Sequence, residues 1–527
     1  MIILSKVKTA DEAVSFIKDN ATLGISLMGL AGWPEEVAQA LERRFLETGA
    51  PRDLTVVSSS GAGDSRDRGV TRLGYEGLVK KWIAGHMGQA PRMRKLVEEN
   101  KIEAYNLPQG VIVQLWREIA AKRPGLITKV GLGTFVDPRV EGGKMNSITV
   151  EDIVKVIEIE NEEYLFYKTF QVDVALIRGT VADENGNLTM DKEGIFLETL
   201  PLAQATKNCG GIVIAQAEYI AQPNTIHPKR VKVPGILIDH VVQCKDTYNH
   251  FQTEGVYFNP SFAGDIRVPL SALPPLTLNE RKVIARRAAM ELSPDAIVNL
   301  GIGISADVAA VAAEERAADL MHLTTESGTI GGVPASPPDF GHAYNAEAII
   351  EHHVQFDYYD GGGIDLTFLG MAQADKDGNI NVTRFSNRVI GSGGFINISQ
   401  NAKKVVFCGS FTASGLEVSV ANNRLNIINE GKIQKFVDKV DQITYSGGYA
   451  RKIKQPALYV TERAVFSLEQ EGLTLIEIAP GVDLEKDVLA QMGFKPRISP
   501  NLKTMPVNIF SDSWGELRKI IQSGYGS

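Results

Sequence analysis

Cysteine is scarce in this chain and nowhere paired. Three residues, Cys209, Cys244 and Cys408, are spread over 527 positions without a Cys-x-x-Cys spacing. Free thiols of this kind fit a reducing compartment, so a disulfide scaffold is excluded and the cytoplasm is the expected location. The eight histidines supply no metal spacing either: His-Glu-x-x-His is missing, and the adjacent His352 and His353 point apart on any regular element. No metal is therefore expected. No apolar run reaches the ~18 residues of a membrane span, and the start MIILSKVKTADEAV lacks the basic-then-apolar order of a signal peptide. Positive charge is in deficit, with 55 Lys and Arg against 63 Asp and Glu for a net −8. That disfavours nucleic acid as a partner and leaves room only for a local basic pocket.

Three familiar site motifs are also missing. GISLMGLAGWP has no Gly-Lys-Ser/Thr and fails as a P-loop, and no Gly-x-Ser-x-Gly nucleophile elbow occurs. GSGGFI, residues 391–396, lacks the third glycine of a dinucleotide fingerprint and has no acid about twenty positions on.

The chain is too long for one core, so two or more domains are expected. With 44% hydrophobic and 22% charged residues it has an ordinary globular composition, and its 50 glycines suit tight strand-to-helix turns. Thr9 and Glu12 form a capping box ahead of an amphipathic helix. An apolar strand, Leu23 to Leu27, then enters a turn with Gly29 and Gly32, and Pro34, Glu35 and Glu36 open a helix. DLTVVSSSGAGD (53–64) repeats the strand-to-loop theme. At 277 the plan restarts, with a capping box at Thr277 and Glu280, then DAIVNLGIGISADVAAVAAEE with Gly301 and Gly303 in the turn.

Further segments echo across the halves. VDVALIRGTVADENGNLTM (172–190) aligns with IDLTFLGMAQADKDGNINV (364–382), and LAQATKNCGGIVIAQ (202–216) with ISQNAKKVVFCGSF (398–411). The expected architecture is two copies of one α/β fold. Their bounds are 1–260 and 277–527, with a Pro-rich linker at 261–276. Residues 80–150 are extra material in the first copy.

Five loops are candidates for chemistry. In MHLTTESGTIGGVPA (321–335) a short apolar run delivers Glu326 to a loop of small residues. It is either a surface turn with a solvated acid or the presentation of a nucleophile or base. Gln109, in Pro108-Gln109-Gly110 before an amphipathic helix, is a buried turn amide or an oxyanion donor. RVIGSGGFINISQNAKK (388–404) exposes the backbone N–H groups of Gly391, Gly393 and Gly394 beside the apolar Phe395. VGLGTFVDPR (130–139) is a candidate pocket wall, and YYDGGGID (358–365) a close chain crossing or a ligand approach.

Taken in order, SLMGLAGWPEE, LPQG, VGLGTFVDPR, NLGIGISADV, TTESGTIGGVPA and GSGGFINI resemble a family I CoA-transferase. The likeness is to the propionate/acetate CoA-transferase group, in which two subunits are fused, and it spans about residues 5–515. It implies tandem NagB/RpiA/CoA-transferase-like domains, each a mostly parallel sheet flanked by helices, the first alpha-subunit-like and the second beta-subunit-like. It further implies Glu326 as the nucleophile carrying a glutamyl-CoA thioester, and Gln109 with the Gly394 (or Gly393) N–H as oxyanion hole. Gly391, Gly393, Gly394 and Phe395 become CoA contacts. Coenzyme A or acyl-CoA is then a substrate with no permanently bound cofactor. The partners are acyl-CoA and a short-chain carboxylate such as acetate, propionate, or a 3-oxo or 2-hydroxy acid, and the assembly is a homotetramer. The glycines after Glu326 are expected to clear a path for CoA, and Met28 and Trp33 to cap or line the acid pocket. A CoA-ester hydrolase on the same scaffold and a non-catalytic ligand sensor are the competing readings.

Overall fold

The computed structural model of the chain describes residues 5–269 and 276–524. The first half is built on eight strands: β1 (Val7–Lys8), β2 (Thr22–Ile25), β3 (Leu54–Ser58), β4 (Val79–Ala84), β5 (Glu103–Asn106), β6 (Val174–Asp183), β7 (Ile212–Ala221) and β8 (His240–Gln243). They lie in the order β1-β8-β7-β6-β2-β3-β4-β5, with every pairing parallel. Parallel strands are covered on both faces, which is why β6 is buried along almost its whole length rather than at alternate positions.

The second half has a mixed sheet of ten strands. These are β9 (Ile297–Leu300), β10 (His322–Thr324), β11 (Thr329–Ile330), β12 (Ala348–Ile349), β13 (Leu366–Gly370), β14 (Lys404–Cys408), β15 (Ala457–Val460), β16 (Ala464–Glu469), β17 (Gly472–Ile478) and β18 (Arg497–Thr504). Their order is β12-β11-β10-β9-β13-β14-β15-β16-β17-β18.

The duplication expected from the sequence is present in the topology. The run β7-β6-β2-β3 matches β14-β13-β9-β10, strand for strand and all parallel. The Asp-x-x-Gly-Asn turns match atom for atom. Asp183 accepts from the N–H groups of Asn185 and Asn187 and from the Asn187 amide at 2.8–3.1 Å. Asp375 does the same for Asp377 and Asn379 at 3.0–3.1 Å. Strands β4 and β5, and a three-stranded layer within 125–168, are the additions to the first half.

Local expectations needed adjustment. The Thr9–Glu12 capping box forms, but its helix, α1 (Ala10–Val14), is short. Helix α2 (Glu35–Thr48) starts one residue after Pro34, which sits at the cap. In the second half Asn279, not Thr277, caps α5, taken here as Glu280–Ala289, by accepting from the Lys282 N–H at 3.1 Å. Part of the expected linker, 270–275, lies outside the described residues.

The halves meet across α3 (Gln109–Ala120), which packs on α4 (Thr199–Asn208) of its own half and on α6 (His352–Asp360) and α7 (Phe395–Asn401) of the other. Helix α3 was expected to be amphipathic, yet it is buried nearly all round. Two of its polar residues reach the second half: Gln114 donates to Asp360 at 2.9 Å, and the partly exposed Arg117 pairs with Asp357 at 2.7 Å. A helix buried on nearly every side is what a domain interface requires.

Candidate functional site

Glu326 follows β10 at its carboxyl end, the edge where α/β sheets keep their ligands. The turn that holds it is pinned from several sides. Thr325 N–H donates to the Thr329 carbonyl at 3.0 Å, and the Thr325 hydroxyl shares protons with Ser327 (2.8 Å) and Thr329 (2.6 Å). The Ser327 hydroxyl donates to the Gly341 carbonyl, and Gln355 of α6 donates to the Thr325 carbonyl at 3.1 Å. Glu326 itself is 8% exposed, and its carboxylate makes no hydrogen bond to another described residue. Burial pushes its pKa up to about 7, with nearby His352 pulling the other way. A solvated surface acid would show neither feature.

The glycines after Glu326 do not clear a path for CoA, contrary to expectation. Gly328, Gly331 and Gly332 have φ of +107°, +73° and +71°, and a Cβ on them would overlap Ile350, Glu347 and the Tyr344 carbonyl. They are small because the chain folds tightly on itself there.

The space in front of Glu326 is a cavity of about 390 Å³ between the halves. Gln109, Gly391, Gly393, Gly394 and Phe395 all line it, so the cavity brings together the nucleophile, oxyanion and CoA-contact candidates. The 390–394 loop of the second half is stitched onto the β4 and β5 ends of the first. Met87 N–H donates to Ile390 (2.7 Å), Gly393 N–H to Gly85 (2.7 Å), Ser392 N–H to the Asn106 side chain (2.9 Å), and Gln109 N–H to Gly393 (3.0 Å). Gly391 has φ +90°, and a Cβ there would stand 2.9 Å from the His86 Cα, so this close crossing demands glycine. The Gly393 N–H is thus already spent on Gly85, whereas the Gly394 N–H has no partner among the described residues. Of the two glycines left open by the sequence, Gly394 is the one with a donor to offer.

A buried relay missed by sequence reasoning orients Gln109. Ser59 donates to Glu198 at 2.6 Å, Glu198 is 2.8 Å from His352 Nδ1, and His352 Nε2 is 2.8 Å from Gln109 Nε2. Glu198 and His352 are both fully buried. The Glu198 carboxylate fixes the ring through Nδ1, and Nε2 then meets the Gln109 amide and holds its NH₂ toward the ring. One amide hydrogen goes to His352, and the other has no described partner. His352 was noted in the sequence only as a poor metal ligand. Its partners lie 154 and 243 positions away, so no local pattern pointed to them.

Other expectations fall away from the cavity. Met28 lines it, but Trp33 is buried elsewhere and donates to Glu35. VGLGTFVDPR is not a wall: Gly131 N–H is held by Gln400 at 2.8 Å, and Gly133 packs against Ser446. YYDGGGID closes α6, with Gly362 at φ +87°.

No helix among the described residues is long and apolar enough to cross a membrane.

The family model for coenzyme A transferases matches residues 7–244. A caffeate CoA-transferase of Acetobacterium woodii is 56% identical over 98% of this chain and 100% of its own length. The acetate CoA-transferase YdiF of Escherichia coli K12 is 44% identical over 96% and 95%. The crystal structure of the YdiF acyl-CoA transferase apoenzyme from E. coli O157:H7 superposes with a TM-score of 0.92 at 43% identity, covering 97% of each chain. A second structure of that protein, a thioester complex with CoA, gives 0.90 at 43% identity and 97% coverage of each. With tandem domains around one interdomain cavity and near-full-length identity to two named transferases, the chain belongs to the coenzyme A transferase family and is a CoA-transferase.

Proposed function

We propose that the enzyme moves CoA between an acyl-CoA and a free monocarboxylic acid through a covalent glutamyl-CoA thioester on Glu326. One observation carries the reading. A buried carboxylate that no other described residue hydrogen-bonds, held only by its own backbone N–H, faces the same cavity as two spare donors, the Gln109 amide and the Gly394 N–H.

In the reaction so proposed, the Glu326 carboxylate attacks the thioester carbonyl. The oxyanion that forms receives hydrogen bonds from Gln109 and Gly394, and its collapse expels CoA thiolate and leaves a mixed anhydride. The thiolate then attacks the glutamyl carbonyl and releases the donor acid, leaving Glu326 as a thioester. An acceptor carboxylate attacks that thioester to give a new anhydride, and the thiolate attacks its acyl carbon. The products are a new acyl-CoA and a free Glu326.

A carboxylate with its usual pKa is a weak nucleophile, and burial that raises the pKa makes the ionised form a stronger one. Loss of one oxyanion donor typically slows a reaction on the order of 10²–10³-fold. The end of the cavity lined by Gly391–Phe395 is assigned to CoA.

Acetate and propionate are the acids proposed first, with 3-oxo and 2-hydroxy acids as close relatives. The name of the A. woodii protein adds a phenylacrylic acid, and a cavity of about 390 Å³ has the size of an ordinary small-molecule site.

Double displacement predicts parallel double-reciprocal plots, and exchange of labelled acid into acyl-CoA without a second acid. Converging lines with no exchange overturn the proposal. Free CoA that accumulates at the same rate with and without an acceptor acid identifies the hydrolase instead.

A further inference from the structure

The mechanism leaves one polar pair in the cavity unused. Gln89 and Glu254 both line it, and the Gln89 amide donates to Glu254 Oε1. Glu254 Oε2 has no hydrogen-bond partner among the described residues, and no cation forms an ion pair with this carboxylate. Arg68, whose charge acts on Glu254, is engaged by Asp64 at 2.9 Å and lies against the Tyr248 and Phe251 rings, each centred 4.6 Å from its guanidinium carbon, with Nη1 left without a hydrogen-bond partner among the described residues. Asp64 and Asp339 add further negative charge around Glu254.

The backbone is shaped to admit this pair. Gly29, in the loop after β2, has φ +60°, and a Cβ there would stand 2.7 Å from Glu254 Oε1. A Cβ on Gly61, in the loop after β3, would overlap Gln89 Oε1. Gln89 follows β4, so three adjacent parallel strands of the first half converge on the pair at their carboxyl edge. The segment carrying Glu254 is tied to the loop beyond Glu326: Thr253 donates to Asp339, and Gly255 abuts Pro338. The Gly391–Phe395 wall adjoins this one at the loop after β4, where Met87 and Gly88 N–H donate to Ile390 and Gly391 abuts His86.

Resting on the reading of Glu326 given above, we infer that Glu254 and Gln89 form the specificity-determining end of the acid pocket. The pair accepts a hydroxyl on a monocarboxylic acid and excludes acids that carry a second carboxylate. The chemistry follows from the atoms present. A hydroxyl both donates and accepts, so it satisfies the free Oε2 whichever protonation state Glu254 holds. Where Glu254 is ionised, a second carboxylate meets an acceptor backed by Asp64 and Asp339, and no described Lys or Arg lines the cavity to offset them; like charges so placed are a strong rejection device.

The test compares kcat/KM for matched acids in the intact enzyme: lactate against propionate, 4-hydroxycinnamate against cinnamate, and succinate against butyrate. The hydroxylated acid is expected to be preferred in at least one of the first two pairs. Glu254→Leu should cut that preference about tenfold or more, because a site built to hydrogen-bond a hydroxyl discriminates strongly. Glu254→Gln, which keeps the hydrogen bonding and removes the charge, should raise the succinate-to-butyrate ratio about tenfold or more. Thermal unfolding checks that each variant folds, and Gln89→Leu stands in for a Glu254 variant that does not. The inference holds only if both ratios move; it is overturned if either stays constant, or if the variants change all acids alike. Formation of a CoA adduct on the unsubstituted enzyme separates the two levels. No adduct refutes the glutamyl reading itself, whereas an adduct with constant ratios refutes only the role of Glu254 and Gln89.

Discussion

Removing the charge of Glu326 should make the free protein more stable, and only above a defined pH. An exposed glutamate in the unfolded chain loses its proton near 4.5, whereas burial holds Glu326 up to about 7 in the folded state. Between those values the native state binds more protons than the unfolded one, so stability falls as pH rises through the window and is flat above it. The full shift, at ~1.4 kcal/mol per pKa unit, amounts to about 3 kcal/mol at about pH 8 and under about 1 kcal/mol near pH 5. Glu326→Gln keeps the shape and cannot ionise, so the variant escapes this penalty. Glu254 and Asp360 are also raised to about 7, but they are common to both proteins and cancel in the comparison. Thermal unfolding of the two proteins should therefore show the variant melting several degrees higher at pH 8, with the gap closing toward pH 5. A gap independent of pH, or a variant less stable at pH 8, refutes the claim that burial dominates the ionisation of Glu326.

Three further outcomes follow from the same geometry. Acylation by acyl-CoA should lose about tenfold per pH unit below about 7 and level off above it, because only the ionised Glu326 attacks; stopped-flow measurement of CoA release reads this directly, and a midpoint near 4.5 contradicts it. Gln109→Ala should lower kcat about 10²–10³-fold with little change in acyl-CoA binding, and undiminished turnover removes it from the oxyanion hole. His352→Ala should lower kcat at least about tenfold, while the Gln109→Ala/His352→Ala double variant should be no slower than Gln109→Ala alone, since His352 acts through the amide; additive losses would give His352 a separate role.

The parts of the site legible in the sequence are those that one short segment carries whole. Glu326 and its turn, Gly391–Phe395 and Gln109 each sit in a local pattern, and the repeated Asp-x-x-Gly-Asn turns mark the duplicated sheet. What escaped was assembled over distance. Glu198, His352 and Gln109 come from two domains, and Gln89 meets Glu254 across 165 positions. Helix α3 misled because Gln114 and Arg117 on its polar side are matched by Asp360 and Asp357 of the other half. The glycines after Glu326 misled for a related reason. A glycine in a sequence says that something comes close, and only the fold says that here it is Ile350, Glu347 and Tyr344 rather than a ligand. Trp33, beside the first glycine turn, was drawn into the core by burial and by its bond to Glu35.

The central claim is that Glu326 itself carries CoA. Incubating the enzyme with acyl-CoA in the absence of an acceptor, then weighing the intact protein and sequencing its peptides, tests this most directly. A CoA-sized gain in mass located on Glu326, removed by an acceptor acid and missing in Glu326→Ala, is the predicted result. Transfer at full rate with no adduct, or an adduct that persists in Glu326→Ala, would contradict it.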